Sequence, residues 1–521
     1  MSTAAALTRP ASALRVVPDG APGGPGSTAR DRRPRWSSPA PWLAVICLVQ
    51  VLLANRPGLN RNAFEDEGLY VYIGHRMIDH LLHGAFLSEY PGKYFSGAPG
   101  LYPVLAAMGD SVGGLQGART VSLAFAVAAT IAVYGLGREL FGAVAGVIGA
   151  AAFSVCGSVL FLAHFATFDS MAMAFVAAAA WLAVRSAKRD DLLWAPAVAV
   201  LLALAFLTKY GTGVYTPLVA ALAVAVSWHG ARWAVLLRAV FMILAAAVIS
   251  FFAIAYWGSD IVGGLITTTA SRTVLVPEST ADLVRQTVLW VGPWLVIALG
   301  AGLLRLRRDW PLVTVLLLGA VIAPLEQIRI NEGESLAKHL AFGVVFAAPL
   351  VGDLLARLLG GRAPRMIPAV VAVLTVLGVL GALGVRYSHE FGTGWVDDRD
   401  LIPTLQHDIA LAPGKTILGE QPSPQRYALR AATTPLQWTD TYQFSYADLQ
   451  GPPAYVEAIQ QSHFGVIYLN LNTLNGKFLH EYLTNNQNPY VLDSKVNRYL
   501  NSQTVGQWLI YMPKVLVSHP Q

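Results

Sequence analysis

Eleven apolar runs of about 17 to 25 residues, separated by more polar loops, decide most of what this chain can fold into. They lie near residues 37–54, 117–137, 141–162, 170–186, 192–208, 212–228, 234–257, 286–304, 310–327, 336–357 and 367–385. As a helix rising about 1.5 Å per residue, each run reaches across bilayer hydrocarbon, where backbone polar groups have to be satisfied within their own segment. The expected fold class is a polytopic α-helical membrane protein with about eleven transmembrane helices. Composition agrees, with 55% of the 521 residues apolar and 13% charged, against about 25% charged in a soluble domain.

Basic residues orient the spans. With the N-terminus inside and the C-terminus outside, the cytoplasmic loops collect Arg138, then Arg185, Lys188 and Arg189, then Arg232 and Arg238, then Arg305, Arg307 and Arg308, and finally Arg357, Arg362 and Arg365. Counting residues 97–110 as a twelfth span would move those clusters outside, so this Pro- and Gly-punctuated piece is expected to be interfacial or re-entrant. Because the basic residues of this +6 chain are scattered between spans, nucleic-acid binding is a poor reading. Cys47 and Cys156 sit inside apolar runs, and no disulfide is expected.

Three regions follow. Residues 1–36, rich in Ala, Pro, Gly, Ser and Arg, are expected to be a disordered cytoplasmic tail. Residues 37–386 form the transmembrane module, whose external loop 55–116 carries interfacial helices, among them Asp66 to His83. Residues 387–521 are polar and rich in Asn, Gln, Pro and Tyr, and are expected to be a small extracytoplasmic α/β domain. Its β-like runs are 415–419, 465–471 and 507–512, and its helix-like stretches are 453–461 and 477–484. It shows neither a Gly-rich phosphate loop nor metal-ligand spacing.

In so apolar a chain, the three consecutive carboxylates Glu65, Asp66 and Glu67 are conspicuous. The orientation above places them on the same face as His164 and Asp169, Lys209 and Tyr210, Arg272, and Arg329, Glu332, Glu334, Lys338 and His339. Such a set suits transfer of a sugar from a lipid phosphate: a carboxylate takes the acceptor hydroxyl proton, and cations steady the departing phosphate. Plainer readings exist for each residue. Asp169 could be a favourable charge at a helix N-terminus, Lys209 could snorkel, and Lys338 and His339 could flank a span. His75, Asp79 and His83 share a helical face that reads as polar surface sooner than as a metal site.

Several segments carry a family resemblance. Phe64-Glu65-Asp66-Glu67-Gly68-Leu69-Tyr70 resembles the Asp-Glu-x-x-Tyr element of the dolichyl-phosphate-mannose protein mannosyltransferase superfamily, which includes the bacterial aminoarabinose transferases that modify lipid A. Gly97 to Pro103 is similar to its Pro-Leu-Tyr segment, Ala118-Arg119-Thr120-Val121-Ser122 through Gly142 to its Ala-Arg-x-x-Ser to Leu-Phe-Gly stretch, Phe168-Asp169-Ser170 to its second-loop Asp element, and Leu207-Thr208-Lys209 to its Leu-Thr-Lys. Gly100 departs from the family's second Pro. The resemblance runs from about Glu65 to Pro217, and more faintly to Lys338-His339 and Pro349. It implies a C-type (GT-C) integral membrane glycosyltransferase with a polyprenyl-phosphate sugar donor. In it, Asp66 takes the acid-base position, Asp169 is the second essential acid, and Lys209 contacts the donor phosphate.

The expected function is therefore inverting transfer of a sugar, mannosyltransferase-like, from a polyprenyl phosphate to a hydroxyl on a protein, lipid or glycan acceptor at the extracytoplasmic face of the cell membrane. Asp66, Glu67 and Asp169 are the catalytic candidates, and Tyr70, His164, Lys209, Tyr210, Arg272, Lys338 and His339 the substrate-binding ones. No cofactor is required, with room left for a divalent metal at the lipid phosphate. The rival readings are a secondary transporter or lipid flippase, which predicts midplane charges and two similar halves, and a non-catalytic membrane partner protein.

Overall fold

The computed structural model describes residues 38–87, 95–191, 193–228, 232–271, 277–360, 366–442 and 444–517. The expected tail 1–36 and the candidate Arg272 lie outside them.

Among the described residues, thirteen α-helices precede the sheet-containing part. They are α1 (Ala40–Ala54), α2 (Glu65–His83), α3 (Tyr102–Phe141), α4 (Ala143–Ser154), α5 (Gly157–Ala163), α6 (Asp169–Arg189), α7 (Trp194–Thr208), α8 (Tyr215–Val226), α9 (Arg232–Trp257), α10 (Ser259–Leu265), α11 (Thr280–Ile330), α12 (Leu336–Leu359) and α13 (Met366–Gly392). Among the described residues every apolar run is helical over most of its length, and the run at 141–162 is divided between α4 and α5. By length and composition, six described helices can each cross a membrane (α3, α6, α9, α11, α12 and α13), or seven if the α4–α5 pair, bent by 69°, is one span. The gap from eleven has a geometric origin. The runs at 286–304 and 310–327 are two parts of the 51-residue α11, interrupted at Asp309, while α1, α7 and α8 are shorter than a full span.

The segment expected to be interfacial is the first part of α3, which breaks at Gly113 and Gly114. Gly114 takes a left-handed φ of 59°, open chiefly to glycine, and the second part continues as the long apolar helix.

Small residues let the helices approach closely, as packing inside lipid requires. A Cβ on Gly352 of α12 would lie 2.1 Å from the Ala145 carbonyl oxygen of α4, so the two backbones touch. At one end of the bundle Arg305 donates to both oxygens of Asp353, at 2.6 and 2.8 Å, and Arg357 joins the same carboxylate.

The C-terminal part adds α14 (Leu401–Leu411), β1 (Thr416–Gly419), α15 (Ser423–Ala428), β2 (Trp438–Asp440), β3 (Ser445–Tyr446), β4 (Leu449–Gln450), α16 (Pro452–Gln460), β5 (Phe464–Asn470), α17 (Leu474–Asn485), β6 (Tyr490–Leu500) and β7 (Gln503–Pro513). A five-stranded sheet has the order β2-β1-β5-β7-β6. β1 runs parallel to β2 and β5, whereas β7 is antiparallel to both of its neighbours. Strand β5 is buried along its whole length, as a central strand covered on both faces should be. Helix α13 runs through residue 387, the boundary expected from composition, and ends at Gly392.

Candidate active site

Helix α2 begins where its acids place it. Glu65, Asp66 and Glu67 fill its first turn, where the unpaired N–H groups and the helix dipole favour negative charge. The Glu67 carboxylate turns back to accept from the Phe64 N–H at 3.1 Å, and Gly84 closes the other end with a left-handed φ of 65°.

Neighbouring residues on a helix point about 100° apart, so the three acids have three destinations. Glu67 is fully buried. It takes a bidentate bond from Arg119 of α3 (Nε to Oε1 2.8 Å, Nη2 to Oε2 2.7 Å) and accepts from the Ala166 N–H at 2.8 Å. Burial alone would raise its pKa, but the Arg119 guanidinium and the N–H donors pull it below the ordinary range. Arg119 also donates to the carbonyls of Asn60 at 2.7 Å and Asn62 at 3.1 Å, which fixes the loop leading into α2. His164 packs against Arg119 Nη1 at 3.3 Å. Burial first, then the Arg119 charge, lowers its pKa to about 4, and a neutral ring accepting through Nε2 suits the pair.

Glu65 points the other way, toward the C-terminal part. It is half-buried, bonded to the Ser423 hydroxyl, and its Oε2 is enclosed with no partner. Burial, reinforced by the charges of Asp440 and Asp66, raises its pKa to about 8 against the Ser423 bond.

Asp66 alone of the three faces a cavity of about 550 Å³. Its Oδ2 accepts from Lys338 Nζ at 2.5 Å, from the first turn of α12. Across the cavity Lys209 is bonded to Asp169, which also accepts from the Thr167 hydroxyl at 2.8 Å. Lys209 occupies an extended break between α7 and α8, braced by bonds from the Tyr210 N–H to the Ser96 carbonyl and from the Ala98 N–H to the Leu207 carbonyl, both 2.7 Å. The Asp66 carboxylate is 30% exposed whereas Asp169 is 2% exposed, so a substrate entering the cavity meets Asp66 first. Aromatic faces surround the ammonium groups: Lys209 lies 5.5 Å from the Phe168 ring and Lys338 lies 5.5 Å from that of Phe165.

The structure thus brings Asp66, Tyr70, Asp169, Lys209, Tyr210, Lys338 and His339 onto one cavity wall. It sets Glu67 and His164 behind that wall, in the Arg119 cluster. The same cavity takes in Glu326, Gln327 and Ser335, which sequence reasoning missed. Ser335 donates to Glu332 at 2.8 Å, and a reversed Gln327 amide accepts from His339 Nδ1 at 2.6 Å. Their one signal was position, at the polar ends of apolar runs. Arg119 stood inside a quoted motif but was given no role.

The C-terminal part roofs α2. Asp110 of α3 accepts from His75 at 2.7 Å, from Arg430 at 2.8 Å and from the Tyr427 hydroxyl, which joins both helices to the segment around α15. Arg426 lies 4.3 Å over the Tyr72 ring, and a Cβ on Gly68 would meet the Ser423 carbonyl oxygen at 2.7 Å.

A bundle of apolar helices bearing such a cavity at one end, roofed by a mixed sheet, is the fold of the GT-C membrane glycosyltransferases. Residues 101–257 match the family model of dolichyl-phosphate-mannose-protein mannosyltransferase. The whole structure is similar to ArnT from Cupriavidus metallidurans in the apo state, with a TM-score of 0.62, 15% identity, and 93% of this chain and 100% of that one covered. The same protein bound to undecaprenyl phosphate gives a TM-score of 0.61 at 15% identity with the same coverage, 93% and 100%. The archaeal oligosaccharyltransferase AglB from Archaeoglobus fulgidus, in complex with an inhibitory peptide and a dolichol-phosphate, gives 0.56 at 12% identity, covering 85% of this chain and 71% of that one. No curated protein matches the sequence significantly. The chain is accordingly a multi-pass membrane protein.

Proposed function

We propose that the chain transfers a sugar from a polyprenyl-phosphate donor to an acceptor hydroxyl, at a site facing away from the cytoplasm. The observation that carries this reading is the pairing of Asp66 with Lys338 and of Asp169 with Lys209 in one cavity. It offers an accessible carboxylate and two cations, the equipment for a proton and a phosphate. In the reaction the acceptor oxygen attacks the anomeric carbon and its proton passes to Asp66. The bond from that carbon to the phosphate oxygen breaks, and the polyprenyl phosphate leaves with the electron pair, held by Lys209 and Lys338. A single displacement inverts the anomeric carbon. The step as written needs no metal, and the donor phosphate is where a divalent ion would add to the lysines.

The neighbour bound to undecaprenyl phosphate supports a lipid-linked donor, and the family-model match favours a mannosyl-type sugar. The acceptor is a protein, lipid or glycan hydroxyl. Purified protein given a polyprenyl-phosphate sugar tests the reading. Asp66→Asn should lower transfer by about 10²–10⁴-fold with the melting temperature kept, and transfer at the wild-type rate would remove the mechanism. Mass spectrometry of lipids and glycoproteins from a deletion strain would name donor and acceptor together.

A further inference from the structure

A second cavity, about 1060 Å³, opens where the loop after α1, the last turns of α13 and the tip of the β6–β7 hairpin meet. It shares no lining residue with the cavity of Asp66. Its walls are held from several sides. Arg56 donates to the Val385 carbonyl at 3.1 Å and to the Ser388 hydroxyl at 3.0 Å, tying the ends of α1 and α13 together. Asp397 donates its N–H to the Tyr499 carbonyl at 2.8 Å, anchoring the hairpin. Asn501 and Ser502 turn its tip with left-handed φ angles of 49° and 64°.

The charges in this cleft form a pattern. Arg399 and Asp397 neutralise one another at 2.5 Å. Arg61 and Arg386 supply two further cations and Glu390 and Asp400 two further anions, with Arg386 and Glu390 one turn apart on α13 and Asp400 also acting on Arg399; among the described residues none of these four is in an ion pair. All four are exposed. The cleft begins where the apolar run of α13 ends, next to Arg386, and the span of α13 below it is 11% buried, with Val379 and Leu374 outward-facing within about 18 Å of Arg386 along the helix. A chain of CH₂ groups can therefore lie along α13 while a polar head enters the cleft at the level where headgroups sit.

We propose that this cleft holds the headgroup of a membrane phospholipid that carries both a phosphate and an ammonium. Arg61 and Arg386 take the phosphate, Glu390 and Asp400 take the ammonium, and the acyl chains run along the exposed face of α13. Two charges of each sign, with Arg386 and Glu390 one turn apart, complement a zwitterion, while an anionic head would leave both carboxylates facing it. The site is independent of the transfer reaction, so its test can fail without touching that reading.

The experiment is native mass spectrometry of the full chain released from detergent with phosphatidylethanolamine, phosphatidylglycerol or soluble glycerophosphoethanolamine. The wild type should keep phosphatidylethanolamine in preference to phosphatidylglycerol and should not keep the soluble head. The double variant Arg61→Ala, Arg386→Ala should lose about tenfold of that retention. The double variant Glu390→Gln, Asp400→Asn should keep both lipids equally. Because these side chains are exposed, thermal melting should match the wild type in both variants. Equal retention of the two lipids by the wild type, equal retention of the soluble head, or retention unchanged in both variants would each overturn the site.

Discussion

Asp66 and Lys338, separated by 272 positions in the chain, meet at 2.5 Å in the wall of one cavity. The pair joins the first turn of α2 to the first turn of α12, and it places a carboxylate and an ammonium where substrate can displace one from the other. An arriving phosphate that draws Lys338 toward itself leaves Asp66 free to accept a proton. Lys338→Gln should therefore raise KM for the donor and lower kcat as well, measured in steady-state transfer assays. Loss confined to KM would leave Lys338 a binding contact alone.

Asp169 is nearly sealed from solvent against Lys209. Removing one member of such a pair leaves a buried charge uncompensated, at about 3–5 kcal/mol. Asp169→Asn is expected to lower the melting temperature as well as transfer, whereas Asp66→Asn lowers transfer alone. Parallel thermal melts and rate assays separate the two.

The Glu67–Arg119 pair should behave as a structural one. Glu67→Gln and Arg119→Met each strand a buried partner and should each destabilise the protein by about 3–5 kcal/mol. The double variant should be less than additive, because neither charge remains alone. Additive losses in a double-mutant cycle would dissolve the coupling.

Glu65 makes stability depend on pH with a definite sign. Its carboxyl rises from 4.5 to about 8 on folding, driven by burial and by the facing charges of Asp440 and Asp66. The folded chain therefore holds this proton when the unfolded chain has released it. The stability linked to this proton is full below pH 4.5, is lost as pH climbs through about 8, and then levels off. Glu65→Gln, which cannot ionise, should flatten that decline in denaturant melts taken between those limits. An unchanged slope would show that other groups set it.

Gly68 lies against the Ser423 and Pro424 backbone, where an added Cβ would come within 2.7 to 2.8 Å. Neither contact is a flexible side chain, so Gly68→Ala should push the α15 segment away from α2, at about 1–3 kcal/mol. Limited proteolysis should then cut near Ser423 faster than in the wild type.

Much of the bundle was legible because apolar length survives every change of tertiary context. The strands β1, β5 and β7 and the helices α16 and α17 were visible too, since their alternating or helical spacing is local. Strand β6 was not seen, because Tyr490 to Leu500 mixes polar and apolar residues out of strict alternation and is defined by its pairing with β7. At the site, topology brought Asp66, Asp169, Lys209 and Lys338 to one face, and the structure places all four on one cavity. What composition and charge could not resolve was direction. Glu65, Asp66 and Glu67 are equivalent as charges, and only the helix that carries them, with Arg119 on one side and Ser423 on another, gives each a separate task.

The grip of Tyr427 and Arg430 on Asp110, together with the closeness of Ser423 to Gly68, bears on how this architecture can be re-engineered. Half of that seam is written in the first loop and half in the segment around α15. A chimera that takes its roof from one relative and its membrane helices from another has to carry Gly68, Tyr72, His75 and Asp110 across with the roof. Otherwise the helix bearing Asp66 loses its ceiling.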